Sequence, residues 1–133
     1  MENRKEPTIS SLTQRSTDGY LGIEVCKTPS ALVEVVIIKQ NSQVGNIFHK
    51  KKTATAIVTL GSGRLYLIKV NEDGQPTGKI KSHFLTSDNV VHIPPYTAYV
   101  FCMDKSSRIT FIKAGPCRKK DPDEYKLRQE YFA

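Results

Sequence analysis

The residues best suited to chemistry lie on two segments of the chain, 45–61 and 89–99. His49 on the first segment can act as a general acid or base, because the unperturbed pKa of histidine lies near neutrality. Lys51, two residues later, can stabilise an enolate, and Tyr99 on the second segment can donate or accept a proton. We therefore predict His49, Lys51 and Tyr99 as catalytic residues. The alternative is that His49 is a partly buried polar residue without a catalytic role and that Lys51 points outward.

The same segments argue against a metal centre. A divalent metal needs three or four converging nitrogen or oxygen ligands, whereas the segment around His49 offers one imidazole and a cationic lysine. His83 and His92 lie beside apolar neighbours on predicted strands, which favours a surface position or a structural hydrogen bond. We expect neither a metal nor another cofactor.

Arg64 and Tyr66 are candidate ligand-binding residues on the strand that follows the turn at 61–63. Alternation along a strand places both on the same face as Ile68. If that face lines a binding site, Arg64 can pair with a phosphate and Tyr66 can stack on a base or a sugar. If it does not, Arg64 is a solvated surface residue.

The composition describes one small domain with an excess of positive charge. The chain has 133 residues, 38% of them hydrophobic, and a formal net charge of +7. Basic residues cluster at 50–52 and 118–120, without an aromatic-interleaved basic stripe or a DNA-reading helix. This pattern favours an anionic small molecule over nucleic acid as the partner.

Membrane insertion and secretion are not expected from the sequence. No apolar run reaches the ~20 residues that span a bilayer, and the charged start is not followed by an apolar signal segment. Cys26, Cys102 and Cys117 lack the spacing of metal ligands and are predicted to be free thiols. We therefore expect a cytoplasmic protein.

The candidate site residues are positioned by short runs of β-branched residues that are separated by turn signals. The run 32–39 is rich in Val and Ile and lies between turn residues, which predicts a strand. Further strands are predicted at 20–27, 44–48, 53–60, 64–70, 79–85, 90–93, 99–103 and 108–113. Regularly spaced strands without helical periodicity before residue 120 indicate a β-sandwich or barrel.

The two ends of the chain differ from this pattern. Residues 1–18 are polar and predict a flexible arm, or an edge strand swapped onto a partner's sheet, ahead of a barrel at 19–120. In the segment 121–133, Asp121 can cap a helix and Pro122 suits its first position. A short C-terminal helix is therefore expected there.

These segments have the layout of the two cupin motifs, and their order resembles that of the small sugar-nucleotide cupins. The closest likeness is to the dTDP-4-keto-6-deoxyhexose 3,4-ketoisomerases and related WxcM-like proteins, over residues 32–133. The matching segments are Phe48-His49-x-Lys51, 60–63, 81–85, Ile93-Pro94-Pro95, 123–125 and 131–132. The resemblance implies an all-β cupin double-stranded β-helix (a jelly-roll barrel) that forms a homodimer and binds a nucleotide sugar in its cup without a metal.

The resemblance also extends the list of site residues. An Arg-Gly-Phe-His-x-His segment of that family supplies two histidines as acid and base. Its first histidine matches His49, its second falls on Lys51 and its arginine falls on Asn46, while a later histidine of metal cupins falls on Tyr99. Thr55 lies near the position where metal cupins carry a carboxylate. Asn46 and Thr55 thus join the ligand-binding candidates, in an active site that departs from the family pattern.

Three functions follow from the sequence, and whether the protein is an enzyme stays open. The first is a metal-free cupin that binds a sugar nucleotide or a similar anionic metabolite and isomerises or epimerises a keto sugar. The second is a non-catalytic binding or assembly module with a decayed pocket, which the small or apolar Ala54, Ala56 and Ile57 favour. The third is a metal-dependent cupin dioxygenase or isomerase.

Overall fold

The computed structural model describes residues 12–17, 19–116 and 123–127. These residues form strands and connecting turns, with no helix among them, which confirms the all-β prediction. The strands are β1 (Thr13–Ser16), β2 (Tyr20–Thr28), β3 (Ala31–Ile38), β4 (Ser42–Phe48), β5 (Thr53–Leu60), β6 (Ser62–Lys69), β7 (Lys81–Thr86), β8 (Val90–Ile93), β9 (Thr97–Met103), β10 (Ser107–Ala114) and β11 (Tyr125–Lys126).

The strands build two antiparallel sheets. The six-stranded sheet has the order β1-β2-β3-β10-β5-β8, and the five-stranded sheet has the order β11-β4-β9-β6-β7. Neighbouring strands such as β3 and β10 are far apart in the chain, and they pair in register from Ala31↔Ala114 to Ile38↔Ser107. The central strands β9 and β10 therefore face each other across the interior of the molecule.

The core lies between the two sheets and is filled by every second residue of the strands, as the period of two requires. On β5 the inward residues Ala54, Ala56 and Val58 are fully buried. An aromatic cluster occupies the centre, where the ring centroids of Phe101 and Phe111 are 5.3 Å apart. Tyr99 stacks on Phe111 at 6.3 Å between centroids, so the hydroxyl-bearing ring is part of the packed interior.

A smaller apolar cluster lies on the other side of the five-stranded sheet. It consists of Phe48, Ile68, Val70, Ala98 and Leu127, with Tyr96 and Tyr125 packed against it. Leu127 and Tyr125 come from the segment 123–127, which this cluster anchors.

The chain ends are described only in part. β1 is an edge strand that pairs with β2 of the same chain. Residues 1–11 and 18 lie outside the described residues, so the flexible or swapped arm stays a prediction. The predicted C-terminal helix is not seen: Tyr125 and Lys126 pair with Ile47 and Phe48 as a strand, because the apolar cluster and β4 offer that segment more contacts than an isolated turn of helix. The rest of the predicted helix, at 121–122 and 128–133, lies outside the described residues. No helix in the described part of the chain is long and apolar enough to cross a bilayer.

Candidate functional site

A bulge near the end of β4 directs His49 into the molecule. The pairing of β4 with β9 shifts between Gly45 and Ile47, and Gly45 and Asn46 both have positive φ, 121° and 65°. A side chain at Gly45 would place its Cβ 2.6 Å from the carbonyl oxygen of Tyr99, so only glycine lets the two backbones approach this closely. Beyond the bulge, Phe48 faces the outer apolar cluster and His49 faces the interior.

His49 is 2% exposed and both of its ring nitrogens are hydrogen-bonded. Nδ1 lies 2.6 Å from the backbone carbonyl oxygen of Asp123. Because a carbonyl oxygen only accepts, Nδ1 carries the proton. Nε2 lies 3.1 Å from the hydroxyl of Tyr99. Burial lowers the pKa of His49 below 6.5, opposed by the hydrogen bond to Asp123, so the ring is neutral at pH 7 and its Nε2 accepts the Tyr99 proton.

Tyr99 is 1% exposed and belongs to β9. Burial raises the pKa of its hydroxyl, and the carboxylates of Glu124 and Glu34 raise it further. Tyr99 is therefore a neutral phenol in the resting protein. Its ring centroid is 5.9 Å from that of His49. The two residues, 50 positions apart in sequence, form a hydrogen-bonded dyad.

A buried ion pair lies in the same interior. Lys113 Nζ on β10 is 3.8 Å from Glu34 Oε1 on β3, and the two side chains are 6% and 4% exposed. The Lys113 ammonium also lies 5.7 Å from the ring centroid of Phe111. Lys113 is thus a buried cation that the sequence analysis did not single out.

These groups surround a cavity of about 280 Å³ between the sheets, here called the inner cavity. Its described lining residues are Tyr20, Glu34, Val44, Gly45, Ile47, Tyr99, Phe111, Lys113, Glu124 and Lys126. Two residues with carboxylates, two with ammonium groups and Tyr99 thus line the same cavity. His49 is not among the described lining residues, and it contacts the cavity lining through its hydrogen bond to Tyr99.

Lys51 and Asn46 are not among the described lining residues of this cavity. Lys51 is exposed in the turn after β4, where its backbone N–H donates to Asp123 Oδ2 at 2.8 Å. Asn46 forms the bulge, and its carbonyl oxygen accepts a hydrogen bond from the Leu127 N–H at 2.8 Å. The Asn46 side-chain oxygen is buried, and no partner for it occurs among the described residues.

Thr55, Arg64 and Tyr66 lie on the outer faces of the sheets. Thr55 Oγ1 is 3.0 Å from His92 Nδ1 on the adjacent strand, facing away from the buried Ala54 and Ala56. Arg64 is exposed and Tyr66 is half-buried, both facing opposite to Leu65, which packs in the core with Tyr99. Alternation predicted their common face correctly, and that face is the outer one.

Three functional candidates were missed by the sequence analysis: Glu34, Lys113 and Asp123. The sequence does contain a signal for Glu34 and Lys113. Glu34 alternates with the inward Val36 and Ile38, and Lys113 alternates with the inward Ile109 and Phe111. Charged residues at inward positions of a strand cost free energy unless they are paired. Two such residues of opposite charge therefore indicate a buried pair.

A metal site is not evident in the described part of the chain. No three side chains of His, Cys, Asp or Glu among residues 12–17, 19–116 and 123–127 are grouped so that they can hold an ion. Cys26 and Cys102 are free thiols, and burial raises the pKa of Cys102.

Comparison with known proteins gives the fold and leaves the family open. No family model matches the chain, and no curated protein matches it. Solved structures do match. The capsular polysaccharide assembling protein CapF from Staphylococcus aureus is 23% identical, with a TM-score of 0.73 over 90% of this chain. This chain spans 33% of that CapF chain, about a third of its length.

Two further matches are of similar length to this chain. Pac13 from Streptomyces, described as a nucleoside dehydratase, is 17% identical with a TM-score of 0.67 over 95% of this chain and 92% of its own. It has been solved with uridine as a histidine-to-glutamine variant and as a tyrosine-to-phenylalanine variant. KdgF from Halomonas is 15% identical with a TM-score of 0.63 over 82% of this chain and 91% of its own. These neighbours are all cupin-fold proteins, and the chain accordingly has the cupin fold, a double-stranded β-helix of two antiparallel sheets.

Proposed function

We propose that this protein is a metal-free cupin that binds a sugar nucleotide or a similar anionic metabolite and moves a proton on its sugar unit. The observation that supports it is the dyad itself: the Tyr99 hydroxyl, on the wall of the inner cavity, lies 3.1 Å from the Nε2 of the buried His49. A phenol backed by a neutral imidazole is a general acid–base pair.

The dyad can relay a proton in either direction. Tyr99 accepts a proton from a ligand hydroxyl, or from a carbon next to a carbonyl, while its own proton passes to His49 Nε2. The resulting imidazolium is stabilised by the Asp123 carbonyl oxygen and by the negative charge of Glu124, and it is opposed by the positive charge of Lys113. The Lys113 ammonium on the cavity wall stabilises the enolate that forms on the ligand. Return of the proton to another position isomerises or epimerises the keto sugar.

The size and charge of the inner cavity indicate which part of the ligand enters. About 280 Å³ lies just below the range of roughly 300–1,000 Å³ that is typical of sites for drug-sized ligands. The charges of Glu34 and Glu124 are balanced by those of Lys113 and Lys126. We therefore place the uncharged sugar unit inside and the phosphates outside the cavity.

A second function is a binding or assembly module without catalysis. The β5 residues Ala54, Ala56 and Val58 are fully buried and packed in the core, so that strand offers the interior no polar group for chemistry. CapF, whose structure is described as that of a capsular polysaccharide assembling protein, shares the fold. In this function the pocket has decayed, and the domain serves binding or assembly without chemistry in its interior.

The test combines ligand binding with proton exchange. Wild-type protein is titrated with uridine, dTDP-sugars and UDP-sugars, and the thermal midpoint is recorded, since a ligand of the native state raises it. Binding keto sugars are then incubated in D2O and followed by NMR. Tyr99→Phe keeps the ring and removes the hydroxyl, so we expect solvent deuterium incorporation to fall by about 10²–10⁴-fold.

Tyr66→Phe, on the outer face, is the matched control and should leave binding and exchange at the wild-type level. Binding without deuterium incorporation in the wild-type protein would favour the non-catalytic module. Incorporation that survives in Tyr99→Phe would contradict the relay. A panel in which nothing binds would contradict the sugar-nucleotide function and favour the assembly module.

We further propose that two copies associate through the outer face of the six-stranded sheet. Two neighbouring cross-strand rows of side chains lie on this face: Ile23, Val35, Thr110, Ile57 and Val90, and Cys26, Val33, Ile112, Thr55 and His92. The exposed Arg108 lies on the same face in the next row, paired with Ile37. Neither row contains a Lys, Arg, Asp or Glu, so two copies meet here without like charges opposing each other. The cytoplasmic location stays a prediction of the sequence.

A further inference from the structure

The segment 123–127, here called the clamp segment, crosses the end of β4 and makes three kinds of contact with β4 and the residues that follow it. Its strand β11 pairs with β4, the Leu127 N–H donates to the Asn46 carbonyl oxygen at 2.8 Å, and Asp123 bonds to the residues that follow β4. Asp123 is 1% exposed. It therefore makes its contacts out of water, where they are strongest.

The carboxylate of Asp123 binds the turn after β4. Its Oδ1 accepts the Lys50 N–H at 3.0 Å, and its Oδ2 accepts the N–H groups of Lys51 and Lys52, each at 2.8 Å. Successive backbone N–H groups of this kind form a concave anion site. The anion in this site is the Asp123 carboxylate of the chain itself. Its hydrogen bonds fix the turn to the clamp segment.

The carbonyl oxygen of the same residue accepts the Nδ1 proton of His49 at 2.6 Å. Asp123 has a φ of 52°, an uncommon conformation for a residue other than glycine. In this conformation its carbonyl oxygen reaches the imidazole while its carboxylate reaches the turn. One residue thus holds both the histidine and the backbone next to it.

We infer that Asp123 is the positioning residue of the dyad: it selects the His49 tautomer protonated at Nδ1, and thereby sets the direction of the hydrogen bond between Tyr99 and His49. With Nδ1 protonated, Nε2 accepts the Tyr99 proton, and the Tyr99 oxygen presents lone pairs to the inner cavity. The group of the ligand that meets Tyr99 is then a proton donor, a hydroxyl or an acidic C–H. In the opposite tautomer, Nε2–H donates a hydrogen bond to the Tyr99 oxygen. The hydroxyl proton of Tyr99 then points away from His49.

The catalytic consequence of this inference rests on the proposed function, whereas the tautomer itself does not. Its test therefore uses the protein without ligand first. In protein labelled with ¹⁵N at histidine, the side-chain spectrum of His49 near pH 7.5 distinguishes the protonated from the unprotonated ring nitrogen. We expect protonated Nδ1 and unprotonated Nε2 in the wild-type protein. Asp123→Ala keeps the backbone carbonyl but loses the carboxylate that binds the turn. The carbonyl oxygen is then no longer held against Nδ1, and we expect a mixture of tautomers.

Amide hydrogen exchange reports the clamp itself. Asp123→Ala removes the acceptor of three backbone N–H groups, so we expect the amides of Lys50, Lys51 and Lys52 to exchange at least about ten-fold faster, with protection of the amides of β6 and β9 retained. Asp123→Asn keeps one oxygen acceptor and should give an intermediate exchange rate. This variant tests the inference if Asp123→Ala does not fold. Asp104→Ala, which removes an exposed carboxylate, is the control and should exchange like the wild-type protein.

The outcomes separate this inference from the proposed function. An unchanged His49 spectrum in Asp123→Ala, or a wild-type protein with protonated Nε2, would overturn it. A changed tautomer together with a ligand panel that never binds would uphold the positioning role and contradict the proposed function. Where a ligand does turn over, loss of the tautomer should lower kcat more than it raises KM.

Discussion

The interior of this small protein contains a buried pair of charged residues, although burying a charge costs free energy. The Glu34 carboxylate and the Lys113 ammonium, 3.8 Å apart, are each almost fully buried. A buried ion pair of this kind contributes little net stability, because the desolvation of both charges offsets their attraction. Its presence on the wall of the inner cavity, next to Tyr99, is better explained by ligand binding than by stability.

This interpretation predicts an asymmetry between single and double variants. Glu34→Gln leaves the Lys113 ammonium buried without this carboxylate and should lower the free energy of unfolding by about 3–5 kcal/mol. The double variant Glu34→Leu/Lys113→Met removes both charges and should remain near wild-type stability, since replacing a buried pair by apolar residues is often neutral. Urea denaturation measures both.

In the same experiments, ligand binding should be lost in the double variant although it is stable. A double variant as unstable as Glu34→Gln would show that the pair stabilises the fold. Unchanged ligand affinity in the stable double variant would exclude a role for the pair in binding.

At the scale of elements, the site depends on close contacts between the backbones of β4, β6 and β9. The bulge of β4 faces β9 through Gly45, and β6 approaches the other side of β9 through Gly63. A Cβ at Gly63 would overlap the Cys102 carbonyl oxygen and lie 2.6 Å from Met103 Cα. These are backbone atoms of a central strand that is paired on both sides, so they cannot yield without disturbing the strand that carries Tyr99.

We therefore expect Gly63→Ala to destabilise the protein by about 1–3 kcal/mol, the usual cost of overpacking a core. Gly78→Ala is the matched control, because a Cβ there has nothing within 4 Å. Thermal or urea unfolding of the two variants gives the comparison. Equal stability of the two would mean that β6 and β9 are less closely apposed than described.

At the scale of the whole molecule, the two sheets differ in what their outer faces offer. The outer face of the five-stranded sheet is covered in part by the clamp segment, with Leu127 and Tyr125 on the apolar cluster. The outer face of the six-stranded sheet carries the two uncharged rows, with Ile112 36% and Val90 52% exposed. This exposed apolar surface is the part of the described molecule most suited to binding a second copy of the chain.

The proposed association predicts that Ile112→Glu is monomeric. The wild-type protein should elute as a dimer in size-exclusion chromatography with light scattering, and in a two-fold symmetric pair the introduced carboxylates oppose each other. Phe84→Glu, at a 57% exposed residue on the edge strand β7 of the other sheet, is the control and should remain dimeric. A monomeric wild-type protein, or a dimer broken by Phe84→Glu alone, would contradict the proposed interface.

The sequence by itself determined where the strands run and which residues of each strand share a face. Both follow from local properties, the β-branched runs, the turn residues and the period of two. For this reason the predicted strands agree with β2 to β10, and His49 and Tyr99 could be named as candidates. Lys51 was named as a candidate and Lys113 was not, because proximity in sequence to His49 was the one measure of distance that the chain offered.

Only the tertiary structure decided which side chains meet. Lys113 reaches the inner cavity because β10 pairs with β3 and places it beside Glu34. Asp123 reaches His49 across 74 positions of sequence, and the apolar cluster around Leu127 turns its segment into a strand in place of the expected helix. Alternation along β3 and β10 marks Glu34 and Lys113 as inward charges, but which strands pair depends on contacts between distant parts of the chain. That pairing, and the packing of the two sheets, leaves no signature within a short stretch of sequence.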